Sequence, residues 1–574
     1  MLRYAFSMQH FRHRLAHTEA LPQMVVLGIL CGIICGVVLG LFRLLLEMPL
    51  EEFLPSGKND DFESLPTWLR FWLPIIGSLL LIALLSRVTP LNRKVGVVHL
   101  LERMAYHQSN LPWKNAVIQF LAACIALLFG HSTGKEGPAI HLGAACGSQL
   151  GQRLKLPNNT LRILAGCGCA AGIAATFNTP LAGVVFAMEV VLLEYTVIGF
   201  MPVMVAAATG ALVVQFMFGR DLVLTVPAMN IESLQEVPYV IFLGGIIGLL
   251  AVAFIYIMTA TLKWSQHSVL SYKSKLILAG VLTGGVAVFY PQVMGIGYDT
   301  ISSVLQGELT LTLLLGILVA KCLLTPIILG LGVPAGLIGP TFVIGAIAGG
   351  ILGTLGAGAV NQEVAHSGFY AMLGMGSMMG AVVNAPMAAL VAILELTGNP
   401  NIIFPAMISI VISNLIARYV FKMPSIFVAS MQIQGMDYRY QPLQQVLNRS
   451  AVTSLMSTHF VKTDPVISSQ GALSALENDP TWIVIDSDDK YLLLSPGDLH
   501  TMTRKTDSPH ADIDLLAMPA LRLDTVDIDE KATLQEALDT MANKSVEALC
   551  VRDTEQKICG LLTRNQIEQH YRQN

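Results

Sequence analysis

The stretch Gly134-Lys135-Glu136-Gly137-Pro138 sets one carboxylate between two glycines, next to a proline and at the head of an apolar run. An acid in such a run is costly to bury and is kept there when it carries function, often proton or ion handling. Glycines let the backbone open and turn its amides toward one point. Several amides, helped by the positive ends of helices, hold an anion without a full positive charge. A full charge would bind the anion too tightly to release it. A carboxylate at that point competes with the anion, and protonating it removes the competitor. The plainer alternative is a structural glutamate paired with a neighbour.

A second stretch, Gly336-Leu337-Ile338-Gly339-Pro340, has the same Gly/Pro frame without the acid. Downstream of each lies another matching pair. Residues 168–189 and 374–395 align so that Gly168, Asn178, Pro180, Ala182 and Glu189 fall on Gly374, Asn384, Pro386, Ala388 and Glu395. Two halves with matching Gly/Pro-interrupted segments point to a transporter whose site lies between the repeats. Periodicity alone leaves open whether the repeats are parallel or inverted.

The elements that carry these motifs are membrane helices. Of the 574 residues, 53% are hydrophobic and only 13% charged, against about 25% charged in a soluble domain. Mean hydropathy is +0.61. The deficit excludes a soluble enzyme and a disordered chain. A net charge of −4 gives no basic field for nucleic acid. Apolar stretches recur from residue 24 to about 419, many of them shorter than the roughly 20 residues an upright span needs and several broken by Gly or Pro. Broken helices survive at membrane depth only where they line an enclosed cavity. The basic start, with Arg3, Arg12 and Arg14, predicts a cytoplasmic N-terminus without a cleavable signal. Nine cysteines without a C-x-x-C pair suggest neither zinc nor redox chemistry.

From about residue 438 the chain reads as ordinary soluble sequence. Two units of similar order, a helix, two strands and a helix, are predicted over 471–503 and 533–571, joined by the polar stretch 506–511. The organisation expected is a segment 1–22, a membrane domain 23–430, a linker 431–450 and a tail 451–574 divided into 451–505 and 512–574.

The Gly134–Pro138 signature resembles G-[KR]-E-G-P of the CLC family, which comprises chloride channels and proton-coupled chloride antiporters. Residues 330–340 resemble its second pore motif, and Asn178-Thr-Pro-Leu-Ala-Gly183 and Ser425-Ile426-Phe427 resemble two more, all in family order. The tail resembles a pair of CBS modules. The resemblance implies an all-α polytopic membrane domain of two inverted repeats with broken helices, followed by a soluble α+β CBS pair. It further implies a homodimer in the cell (inner) membrane, surrounded by lipid, with one pore per subunit and both chain ends cytoplasmic. The transported partner would be chloride or a similar anion. Glu136 is then the gating and proton-transfer glutamate. Gly134, Lys135, Glu136 and Gly137 frame the anion site, and Leu337 and Ile338 serve it through backbone N–H groups. Metal, catalytic residues and enzymatic activity are not expected.

Three positions depart from the family pattern. Val95, in Lys94-Val95-Gly96-Val97-Val98, stands where a serine hydroxyl would contact the central anion. Phe427 stands where a tyrosine would, and keeps the ring without the hydroxyl. Val190 stands where proton-coupled members carry a second glutamate. Glu189, one residue earlier, would face about 100° away on an α-helix, so it is read as structural, a helix-end contact. Lys321, in an apolar helix, is likewise read as structural, the alternative being positive potential for the pore. In the tail, Ser495-Pro-Gly-Asp498 fits the [ST]-x-x-D pattern that holds a nucleotide ribose, whereas Thr563 is followed by Gln566 in place of the acid. That leaves one weak adenine-nucleotide site or none as the only candidate cofactor.

Rival classes fit less well. A cation transporter with a regulatory tail needs several converging acidic ligands. A membrane metalloprotease needs H-E-x-x-H, which is absent. A membrane receptor acting through its tail needs no broken helices. Within the leading reading, Val190 tips the expectation toward passive, channel-like conduction, with proton-coupled antiport as the alternative.

Overall fold

The computed structural model describes residues 15, 20–56, 60–219, 236–360, 367–436, 446–487, 490–504, 512–553 and 555–573. The predicted polar linker 506–511 and most of segment 1–22 lie outside them. The chain forms two compact units. One comprises 25–153 with 162–439; the other comprises 440–574 together with 1–24 and 154–161.

The first unit is helical. Eight helices among the described residues are long and apolar enough to cross a membrane, from Leu21–Phe53 to Pro400–Val420, and four apolar helices are shorter. The two sequence repeats fold alike. Helix Glu136–Arg153 crosses helix Asn158–Phe177, and Ile338–Val360 crosses Ser367–Val383. At both crossings the backbones touch through glycine. A Cβ on Gly143 would lie 2.1 Å from the Gly168 carbonyl oxygen, and one on Gly345 would lie 2.3 Å from that of Gly374. One turn on, Gly147 and Gly349 make the same approach to Leu164 and Tyr370. This is the small-xxx-small packing of membrane helices, in which close backbones replace a hydrophobic drive that lipid cannot supply.

Each second helix ends at an asparagine in the left-handed region, Asn178 (φ 58°) or Asn384 (φ 59°). Asparagine tolerates this conformation better than most residues. Two residues later Pro180 or Pro386 opens a short helix, a position where proline's missing N–H costs nothing. The short helix from Pro180 widens into a π-helical turn over Ala187–Leu192. An ordinary α-helix was expected there, so the 100° step assigned to Glu189 and Val190 does not apply; π turns cluster at functional sites.

The second unit is α+β. Its six-stranded sheet runs β1 (Phe460–Thr463), β3 (Trp482–Ser487), β4 (Lys490–Leu494), β6 (Arg522–Asp529), β7 (Ala548–Arg552), β8 (Ile558–Thr563), with β2 (Val466–Ser468) paired to β5 (Asp512–Asp514) alongside. β1 runs parallel to β3 and β6 parallel to β7, each across a helix, and an antiparallel hairpin follows in both halves. The hairpins and helices match the predicted pair of units. The opening strands β1 and β6 were not anticipated, because β6 alternates acids with apolar residues and reads as polar sequence.

Candidate functional site at the junction of the repeats

The two motif loops pair with each other. Gly134 N–H donates to Gly336 O at 2.7 Å and Gly336 N–H to Gly134 O at 2.8 Å, an isolated antiparallel bridge. The loops come this close because neither glycine has a side chain: a Cβ on Gly336 would lie 2.6 Å from Gly137 N. Immediately beyond the bridge, Glu136 opens one helix and Ile338 opens the other. The positive ends of both helices, with their unsatisfied N–H groups, therefore face one junction. Leu337 and Ile338 are buried beside it.

Glu136 is 1% exposed. Its Oε1 accepts the Tyr298 hydroxyl at 2.8 Å, and its Oε2 has no hydrogen-bond partner among the described residues. It lines a cavity of about 30 Å³ with Ile173, Phe177, Phe186, Ile338 and Phe342. Lys135 points elsewhere, with Nζ 3.6 Å from Glu47 Oε1 and 5.8 Å from the centre of the Tyr298 ring. Lys135, Glu47, Arg43, Asp60 and Tyr298 line a second cavity of about 250 Å³.

The other predicted positions are spread more widely. Val95 lines a third cavity, about 370 Å³, with Lys94, His99 and Glu102 and with Gly332–Ala335 from the second motif loop. Phe427 is buried in the first turn of helix Ile426–Ile433, which Ser425 caps through its side chain. Val190 is buried in the π turn. Lys321 is fully buried, and its Nζ donates to Val293 O at 3.4 Å and Gln292 O at 3.5 Å. It thereby ties down the loop that leads to Tyr298.

Glu189 and Glu395 have a shared task. Glu395 accepts the N–H groups of Leu181 (3.0 Å) and Ala182 (2.8 Å), and Glu189 those of Met387 (3.4 Å) and Ala388 (2.8 Å). Each repeat thus caps the short helix of the other, the helix-end contact expected for Glu189. Glu395→Ala strips the acceptor from two helix-end donors and is expected to cost about 1–3 kcal/mol, read as a lower unfolding temperature in detergent. Glu189→Ala is expected to cost less, since one of its two bonds is longer.

In the second unit, Ser495 precedes helix Pro496–Thr503 and Asp498 lies in its first turn. In the other half, Gln566 Oε1 accepts from Thr563 N–H (2.8 Å) and Thr563 Oγ1 (2.9 Å), and its Nε2 donates to Ser457. Gln566, which stands where the [ST]-x-x-D pattern would have an acid, is thus committed to the protein.

Tyr298 was missed in the sequence, as was the buried contact of 2.9 Å between His99 Nδ1 and His141 Nε2. The signal for Tyr298 was Gly295-Ile-Gly297 before it. Both glycines have positive φ, which marks a tight approach to something, although not to what.

A family model described as voltage gated chloride channel matches residues 77–418. A ClcB-like chloride channel protein of Ralstonia nicotianae is 28% identical over 376 residues, covering 64% of this chain and 86% of its own. The H(+)/Cl(−) exchange transporter ClcA of Vibrio cholerae is 27% identical over 304 residues, 52% of this chain and 65% of its own. Among solved structures, a slow cyanobacterial Cl−/H+ antiporter superposes with a TM-score of 0.64 at 21% identity, covering 72% of this chain and 98% of that one. A eukaryotic CLC transporter superposes with 0.59 at 18%, covering 95% and 97%. The fold is theirs: a helical membrane domain followed by an α+β region. With its family model spanning more than half of its length, this multi-pass membrane protein belongs to the voltage gated chloride channel, or CLC, family.

Proposed function

We propose that the protein carries chloride or a similar anion across the membrane in exchange for protons, with Glu136 as the group that serves both. The observation that carries this reading is the buried Glu136 carboxylate between the two paired motif loops, one oxygen held by Tyr298 and the other unpartnered among the described residues. Two helix N-termini create a site favourable to negative charge, and ionised Glu136 fills it. Protonation neutralises the carboxylate and lets an anion take its place; departure of the anion lets the carboxylate return and give up its proton. In this reading Gly134, Gly137 and the amides of Leu337 and Ile338 shape the site, and the cavity beside Val95 feeds it from the other end.

Exchange is preferred to the passive conduction expected from the sequence because the Vibrio relative is named an exchanger and the cyanobacterial structure an antiporter. Channel-like conduction remains the second reading, favoured by Val190, an aliphatic residue where proton-coupled relatives would carry an acid. The same reading takes the protein as a homodimer in the bacterial inner membrane with both ends cytoplasmic. It takes the second unit as a CBS pair, with Ser495 and Asp498 as its one candidate adenine-nucleotide contact.

Reversal potentials in proteoliposomes under opposed chloride and proton gradients test this reading. A potential set by both ions is expected; one that follows chloride alone selects the channel, and one that ignores chloride removes anion transport.

A further inference from the structure

The geometry points to Tyr298 as the residue that sets the pH at which the Glu136 gate opens, by donating its phenolic hydrogen to the ionised carboxylate. This inference rests on the reading of Glu136 as the gate. Three features of the site support it.

First, the Tyr298 Oη to Glu136 Oε1 distance of 2.8 Å is that of a hydrogen bond, and only the phenol can be the donor when the carboxylate is ionised. Such charge-assisted bonds are roughly twice as strong as neutral ones.

Second, Tyr298 supplies the one side-chain hydrogen bond recorded for Glu136 among the described residues, and Oε2 has no partner. Deleting it removes that donor, while the nearby backbone N–H groups of Glu136 and Gly339, which also favour the ionised form, stay in place.

Third, Tyr298 lies between the 250 Å³ cavity and Glu136. Its ring lines the 250 Å³ cavity, packs edge-on against Phe177 at 6.2 Å and lies under Lys135, while its hydroxyl reaches into the junction. Gly295 and Gly297 bend the preceding loop, and Lys321 holds that loop by its carbonyls. The phenol is therefore held in place at the gate.

The charged groups around the pair come from several elements. Lys135 flanks Glu136 on its own loop, Lys321 acts on it from helix Leu311–Gly330, and Asp60 acts on Tyr298 from the loop after the first helix. The other walls, from helices Asn158–Phe177, Pro180–Phe186, Ile338–Val360 and Pro386–Thr397, present Phe177, Phe186, Phe342, Ala392 and the uncharged Thr179. None of these charges is removed by changing Tyr298, so the effect of the hydroxyl can be read in isolation.

The hydroxyl stabilises the ionised, closed gate. Without it Glu136 protonates more readily, and anion flux persists to higher pH.

The test is chloride flux against external pH in proteoliposomes for the wild type, Tyr298→Phe, Tyr298→Met and Glu136→Gln. Both Tyr298 variants lack the donor, and both are expected to move the midpoint to higher pH by about one unit. Combined with Glu136→Gln, neither shifts any midpoint, because none remains. An unchanged midpoint in Tyr298→Phe overturns the inference. A shift in Tyr298→Met alone traces to packing and also overturns it. If Glu136→Gln itself keeps the wild-type pH dependence, the gate reading fails, a result separate from failure of the tyrosine's role alone.

Discussion

Glu136→Gln is expected to leave anion flux in place and to abolish its dependence on external pH. Glutamine keeps the shape of the side chain and loses its charge, so it no longer competes with the anion at the helix N-termini. It also has no proton to give up, so any coupling to protons ends with the same substitution. In the proposed exchange the two effects are inseparable: one carboxylate, 1% exposed, stands at the junction of the motif loops, and among the described residues no second acid lines the cavity it shares with Ile338 and Phe342. The measurement is chloride efflux from proteoliposomes over a range of external pH. A mutant curve that still follows pH as the wild type does removes Glu136 from the gate.

The second large effect is on the fold. Gly143→Ala places a methyl group 2.1 Å from the Gly168 carbonyl oxygen, and Gly345→Ala places one 2.3 Å from that of Gly374. These neighbours are backbone, so no rotamer change relieves the overlap; the helices must part to relieve it. Overpacking typically costs about 1–3 kcal/mol and sometimes more, and here parting also displaces Glu136 or Ile338 at the head of the same helix. Each substitution is expected to cost about 3 kcal/mol or more and to reduce the monodisperse fraction in detergent sharply. Gly285→Ala, where a Cβ meets nothing within 4 Å, is the control and is expected to be near neutral. Equal behaviour of the three variants would show that the crossings are looser than described.

The comparison of Gly143 with Gly345 also shows what the sequence could convey. The repeats were legible because asparagine before proline, and glutamate at a fixed distance beyond it, are unusual signals in apolar sequence; the structure uses them for a left-handed stop, a helix start and a reciprocal cap. Gly143-Ala-Ala-Cys-Gly147 and Gly345-Ala-Ile-Ala-Gly349 also stand in the sequence as small-xxx-small patterns, although they were not read there, and they mark the crossings that aim both motif loops at one junction. The π turn at Glu189 and Val190 was not legible, because no local residue demands it and periodicity arguments assume an α-helix. Tyr298 could not be assigned either. It meets Glu136 across 162 residues, and nothing in a single chain specifies a tertiary contact of that span. The departures at Val95, Val190 and Phe427 were plain as residues. Their consequence turns on proton movement, for which Val190 offers no carboxylate.

The central claim, anion transport coupled to protons through Glu136, is tested most directly by asking whether chloride drives protons. Liposomes holding the purified protein are set with a chloride gradient, no pH gradient and the voltage clamped by valinomycin and potassium, and external pH is tracked with an electrode. Coupled exchange predicts sustained proton movement against its electrochemical gradient that vanishes in Glu136→Gln. Chloride flux without any proton movement would contradict it and return the protein to the channel reading.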